Sequence, residues 1–479
     1  MKELKNNQYN NKSINLNLNH NVSGNKFKEF LLSKCHIFFA GIGGISVSSL
    51  AIYAKQKGFN VSGSDISKTE LTTNLEKIGI KIFYKQQAEN IKDANLIVYS
   101  NACEKCPEVL QAKRKNIPTL TRAQFLSILL KDYNTSICVT GAHGKTTTTA
   151  LIYSILKEAN KMPSLHLGGN LVSNGKNYDY SNNDYIVCEA CEYKDSFLEL
   201  YPNIAVILNI APEHLDYFKT FENVKKSFGI FANQAKNLVI YEKCELNKKN
   251  AITFGFENAN FTAKNIKMFK NGKYSFDCYL NNQKYLHTKI NLIGKHNILN
   301  ALASIAVSYL LHIPKEFVIK GLSNFCGIER RYQYLHKDKF IVHDYAHHPD
   351  EIESCIKETK MFYKNKLLVV FQPHTFSRTK TLMKRFVNTF KSLDEVLILP
   401  TYSAREKYDY KGSAKLLAKN IGENAIYIRK TNEINDYILE KINQGYGILF
   451  LGAGNIYNMA KNIVKMCWQG YCNMLKSIR

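Results

Sequence analysis

The chain has 479 residues, a formal net charge of +25, and 45% hydrophobic and 12% aromatic residues. That length exceeds what one hydrophobic core usually supports, so two or three domains are expected, and the composition excludes a disordered or fibrous protein. The excess charge admits a nucleic-acid binder, a membrane-surface protein or an enzyme for phosphorylated substrates. Lysine, however, is spread along the chain beside Asn, Ile and Tyr, with no dense basic block interleaved with aromatics. Drift in codon composition produces that pattern, so no nucleic-acid partner is expected.

The first residues, MKELKNNQYNNKSINLNLNHN, are polar instead of signal-like, and no apolar run reaches spanning length. The protein is therefore expected in the cytoplasm without stable membrane insertion, its 12 Cys reduced. Cys103 with Cys106 and Cys188 with Cys191 have CxxC spacing, but the pairs lie far apart without knuckle glycines. They read as small buried hydrophobes instead of zinc ligands.

Residues 1–30 are Asn/Lys-rich and aperiodic and predict a disordered extension. From Cys35 the pattern is strand (CHIFFA), glycine turn (Gly41 to Gly44) and helix (Ser46 to Lys55). Strand-like runs at Asn60 to Ser62, Ile80 to Phe83 and Asn95 to Tyr99 alternate with helical stretches, giving a parallel α/β domain over residues 31–132. A second domain, 133–327, opens with SICVT and a long helix through Lys161. It contains the apolar strands YIVCEA and NIAVILNI, then alternating segments around 250 to 290 that suggest antiparallel strands, then a helix in GKHNILNALASIAVSYLL. The third, 328–479, has four strand-like runs, in FIVHDYAHHP, KLLVVFQP, EVLILP and YGILFLGAGNIY, and is again parallel α/β.

The sharpest signal is Thr140-Gly141-Ala142-His143-Gly144-Lys145-Thr146-Thr147 between a strand and a helix. Glycines let backbone N–H groups turn inward around phosphate oxygens, the helix aims its positive end at them, Lys145 supplies a cation and a Thr hydroxyl can ligate magnesium. The ligand expected is a nucleoside triphosphate. The standard spacing would place a glycine at Val139, so the loop is a compact variant, unlike that of ordinary GTPases or motor ATPases. In open α/β sheets ligands sit at the carboxyl ends of strands. Glu189 follows one such strand, and Asn209, Glu213, His214 and Asp216 follow another, where a carboxylate and an imidazole could hold magnesium.

Gly41, Gly43 and Gly44 with Asp65 resemble a dinucleotide fingerprint, which would make the protein a nicotinamide-dependent oxidoreductase. The third position of that pattern is Ser46, and the turn's amides suit any diphosphate. Beside an ATP loop, a nucleotide diphosphate substrate fits better. A non-catalytic nucleotide switch is the other alternative, and it leaves the His/Arg groups of the third domain without use.

Taken together, GIGGIS (41–46), TGAHGKTTTT (140–149), EACEYKDSF (189–197), NIAPEHLDYF (209–218), GKHNILNALA (294–303), DYAHHP (344–349) and FQPHTFSRT (371–379) resemble the Mur ligase family over roughly residues 33 to 460. The resemblance implies an α/β protein of three domains: a Rossmann-like N-terminal domain, a P-loop ATPase central domain and a Rossmann-like C-terminal domain. It implies ATP and Mg2+, and the joining of L-alanine to UDP-N-acetylmuramate through an acyl phosphate in peptidoglycan synthesis, by a monomer or homodimer. The family's tripeptide-recycling ligase is the alternative. It further implies that Gly41, Gly43, Gly44 and Asp65 face the UDP-sugar. Gly141, Ala142, His143, Gly144, Lys145, Thr146, Thr147, Asn297, Arg330 and Asp344 would face ATP. Thr146, Glu189 and His214 would hold metal, with Lys145, Glu189 and His214 catalytic. His347, His348, His374 and Arg378 would take the amino acid, and closure of the third domain would keep water from the acyl phosphate. Two departures stand out: His343 replaces an acid before Asp344, and neither Lys225 nor Lys226 is identified as a carbamoylated lysine.

Overall fold

The computed structural model describes residues 35–246, 250–404 and 406–477, with side chains up to residue 468. The extension expected over residues 1–30 lies outside the described residues. The chain forms two compact units. One runs to Thr149 and takes in Asn160–Gly169 and Asn177–Ala251; the other holds Ala150–Ala159, Asn170–Lys176 and the chain from Ile252 onward.

The first unit opens with β1 (His36–Ala40), β2 (Asn60–Ser64), β3 (Lys81–Phe83), β4 (Leu96–Tyr99) and β5 (Thr119–Thr121), a parallel sheet in the order β3-β2-β1-β4-β5. It continues with β6 (Thr135–Thr140), β7 (Ser164–His166), β8 (Tyr178–Asp179), β9 (Tyr185–Glu189), β10 (Ile204–Ile207) and β11 (Asn237–Tyr241). These run β11-β10-β6-β9-β7-β8, parallel except for β8. All of β10 and the middles of β6 (Ile137 to Val139) and β9 (Ile186 to Cys188) are apolar and buried, as strands covered on both faces require. Phe39 on β1 meets Phe125 edge-on and anchors that sheet to the helix Arg122–Leu130, while Phe197 packs against Phe228 and Phe231 of the helix Phe221–Gln234. Cys188 on β9 lies opposite Cys138 on β6, their sulfurs 3.1 Å apart, both buried in the strand layer.

The second unit holds β12 (Ile252–Gly255), β13 (Phe261–Met268), β14 (Lys273–Leu280) and β15 (Gln283–Ile293), with β13, β14 and β15 antiparallel. Its other sheet comprises β16 (Gln333–His336), β17 (Ile341–Asp344), β18 (Leu367–Phe371), β19 (Val396–Ile398), β20 (Ala425–Tyr427) and β21 (Gly447–Leu451). The order is β16-β17-β21-β18-β19-β20, parallel except for β16. Along β18 the side chains divide by parity: Val369 and Phe371 enter one core with Phe386 and Phe390, Leu368 and Val370 the other with Ile438 and Phe450.

Candidate active site

β6 ends at Thr140, and the helix Lys145–Glu158 begins after four loop residues. Gly141 and Gly144 have φ of +139° and +86°, a region that side chains rarely enter. A Cβ on Gly141 would lie 3.0 Å from both the backbone nitrogen and oxygen of Asn209. Asn209, just past β10, fixes the loop: its carbonyl accepts from the Ala142 amide at 3.2 Å, its Oδ1 from the His143 amide at 2.8 Å, and its Nδ2 donates to the His143 carbonyl.

Lys145 Nζ donates to the carbonyls of Gly141 (2.5 Å) and Ala142 (3.1 Å) and to Glu192 Oε1 (3.0 Å). Burial opposes its charge, but Glu192 and then Glu189 outweigh it and raise the ammonium's pKa above the usual lysine value. Thr146 Oγ1 donates to Glu189 Oε2 at 2.7 Å, and the Gly168 amide donates to the same oxygen at 3.0 Å. His214 stands at φ +54° before the short helix Leu215–Phe218, its ring against Tyr193 and its Nε2 3.7 Å from Glu192 Oε1. His143 Nε2 lies 3.5 Å from Glu213 Oε1. One donor atom each from Glu192, Glu213 and His214 falls within a 4.8 Å group, and Glu192 Oε2 is buried without a hydrogen-bond partner. A set rich in carboxylate oxygen suits a hard divalent cation.

The structure thus brings Thr146 to Glu189, and His214 to Glu192 and Glu213. Glu192 was not singled out from sequence; its position three residues past Glu189 was the available signal. Lys225, one of the two lysines considered for carbamoylation, is ion-paired with Glu222 and Glu245.

In the glycine turn, Gly41 is at φ +75°, where a Cβ would lie 2.8 Å from Cys103 Sγ, and Gly44 caps the helix Ile45–Gln56. Asp65, directly after β2, accepts from the Gly43 amide at 2.9 Å.

In the second unit, Asn297 donates to the Ile293 carbonyl and accepts from Asn300, so its amide secures the start of its helix. Arg330 Nη2 donates to the carbonyls of Ala453 (2.8 Å) and Gly454 (3.0 Å), with its guanidinium 4.8 Å from the Tyr345 ring centre. Asp344 accepts the amides of Tyr332 and Ala346, both at 2.7 Å, and burial raises its pKa above the usual carboxylate value. His348 caps the helix Pro349–Phe362, and Glu351 accepts the His347 and His348 amides. Arg378 Nη1 is 3.3 Å from His374 Nδ1, the His347 and His374 rings are 6.0 Å apart, and burial brings His347 down to about 4. His347, His374 and Arg378 therefore form one cluster.

A compact glycine loop between strand and helix, with carboxylates and an imidazole at neighbouring strand ends, defines a phosphate-loop α/β protein. The Mur ligase middle domain matches residues 139–308, the Mur ligase family catalytic domain 36–134 and the Mur ligase glutamate ligase domain 330–454. The chain belongs to the Mur ligase family. It is 40% identical to a UDP-N-acetylmuramate–L-alanine ligase of Acetivibrio thermocellus (92% of this chain, 96% of the relative). It is 38% identical to one of Clostridium botulinum strain Loch Maree (90% and 98%). The crystal structure of a UDP-N-acetylmuramate–alanine ligase from Thermotoga maritima superposes with a TM-score of 0.80 at 30% identity, covering 91% of this chain and 100% of that one.

Proposed function

We propose that the protein joins L-alanine to UDP-N-acetylmuramate at the expense of ATP, working in the cytoplasm. The similarity that carries the reading is the 40% identity spanning 96% of a relative bearing that activity in its name. The phosphate loop and the groups around Lys145 support it. In this reading residues 31–132 take the UDP-sugar, 133–327 take ATP and 328–479 contribute amino-acid and nucleotide contacts.

A carboxylate oxygen of the sugar nucleotide attacks the γ-phosphorus, and the bond to the bridging oxygen of ADP breaks. The loop amides and Lys145 neutralise the charge that builds on the transferring group. Thr146 and Glu189 would hold one magnesium ion and His214, with Glu192 and Glu213 beside it, a second; bound there, the metal adds further charge neutralisation. The alanine nitrogen, having lost a proton, then attacks the acyl carbon, and phosphate leaves as the amide forms. Gly41, Gly43, Gly44 and Asp65 are assigned to the UDP end. His347, His348, His374 and Arg378 are assigned to the amino acid, and Asn297, Arg330 and Asp344 to the nucleotide.

Phosphate release is expected only with ATP, UDP-N-acetylmuramate and L-alanine together, and is expected to vanish in Lys145→Ala while the circular dichroism spectrum is kept. Release with the sugar nucleotide and a tripeptide, but not alanine, would replace this reading with the recycling activity. No binding of ATP with magnesium would overturn both.

A further inference from the structure

A half-buried polar chain begins at Ser46, the residue standing at the third position of the glycine turn. Ser46 Oγ lies 2.8 Å from His166 Nε2 and accepts from Arg122 Nη1 at 3.1 Å. His166 is 1% exposed, and its Nδ1 is 3.1 Å from Ser49 Oγ and 3.0 Å from the Tyr180 hydroxyl. The Ser49 hydroxyl donates to the Ser46 carbonyl at 2.9 Å. It therefore offers His166 a lone pair, and with the imidazole proton on Nδ1 facing it, Nε2 accepts the Ser46 proton. Burial, followed by the charge of Arg122, lowers the His166 pKa to about 3, so the ring is neutral in this role. Every hydrogen bond in the chain then has one direction, and Arg122 ends it in a fixed orientation.

Arg122 is the first residue of the helix Arg122–Leu130, where a cation meets the positive end of the helix. Among the described residues it pairs with no carboxylate. The acid of the glycine turn, Asp65, is engaged by the amides of Gly43 and Ser67. Ser46 itself lies in the first turn of the helix Ile45–Gln56. Two helix N-termini and a guanidinium thus meet at one hydrogen bond, an arrangement that an anionic ligand stabilises.

We propose that Arg122 receives an anionic oxygen of the sugar nucleotide, with Ser46 and His166 as the positioning residues that aim it. The proposal rests on the ligase reading and adds a subsite to it. Binding of UDP, UDP-N-acetylglucosamine, UDP-N-acetylmuramate and ATP to the full chain by calorimetry tests it. Arg122→Gln is expected to weaken UDP-N-acetylmuramate by about tenfold or more, the worth of one charge-assisted bond, with ATP affinity unchanged. Equal weakening of all three uridine nucleotides identifies the diphosphate as the anion; weakening of the muramate alone identifies its carboxylate. His166→Leu should reproduce the loss as a raised KM for the sugar nucleotide at unchanged KM for ATP, and His166→Gln should restore part of it. Should His166→Leu lose ATP binding as well, Ser46→Ala carries the same comparison. Unchanged uridine-nucleotide binding in Arg122→Gln overturns the subsite. A wild-type chain that binds ATP but no uridine nucleotide overturns the ligase reading instead.

Discussion

Lys145 donates to Glu192 and to two carbonyls of its own loop, so a triphosphate entering the loop must exchange those bonds for phosphate oxygens. Glu192 holds the ammonium charged and near its working position in the meantime. In Glu192→Gln the amide can keep a hydrogen bond while the charge is lost, and the lysine pKa should fall. The alkaline limb of the kcat/KM profile is expected to move to lower pH, with a loss of about tenfold or more at neutral pH. An alkaline limb that coincides with that of the wild type would show Glu192 to be a structural neighbour only. The loop was legible because its chemistry is written in consecutive residues. Glu192 is marked in the sequence only by its spacing from Glu189, and the turn that follows it, with Lys194 and Asp195 at positive φ, has no sequence signature. His166 is 120 positions from Ser46, so only the fold could reveal their pairing.

At the scale of elements, central strands were legible, and so was the edge strand β3 in the run Ile80 to Phe83, but other edge strands were not. The run LLVVF had to be apolar throughout because β18 is covered on both faces, whereas β16 and β20 each have one neighbour and half-buried side chains. The same reason hid β5, a three-residue edge strand. Helix contacts depend on small residues that sequence does not mark. Gly321, in the helix Lys315–Asn324, faces the helix Lys145–Glu158 so closely that a Cβ would lie 2.5 Å from Ile155 Cα and 2.8 Å from its nitrogen. Backbone cannot yield as a side chain can. Gly321→Ala is therefore expected to destabilise the chain by about 1–3 kcal/mol despite its better helix propensity, read as a lowered urea midpoint. A raised midpoint would mean that propensity outweighs the contact.

At the scale of the whole molecule, the fold buries His166 and His343 and half-buries His347, and this sets its response to acid. Burial lowers His166 and His343 to about 3 and His347 to about 4, against an ordinary value of 6.5. Between those limits the unfolded chain binds protons that the folded chain does not, so stability is complete above pH 6.5 and declines as pH falls. His343 is the clearest case: it is fully buried on β17 against the Tyr457 ring, at the position where the family resemblance implies an acid. Acidification from about pH 8 to about pH 5 should cost about 2 kcal/mol through this one residue. His343→Phe removes the titration while keeping an aromatic ring beside Tyr457. The variant should therefore lose less stability than the wild type over that interval, whichever of the two is more stable at pH 8. Urea titrations at both pH values measure the difference, and equal losses in the two proteins would mean that His343 is protonated in the folded chain.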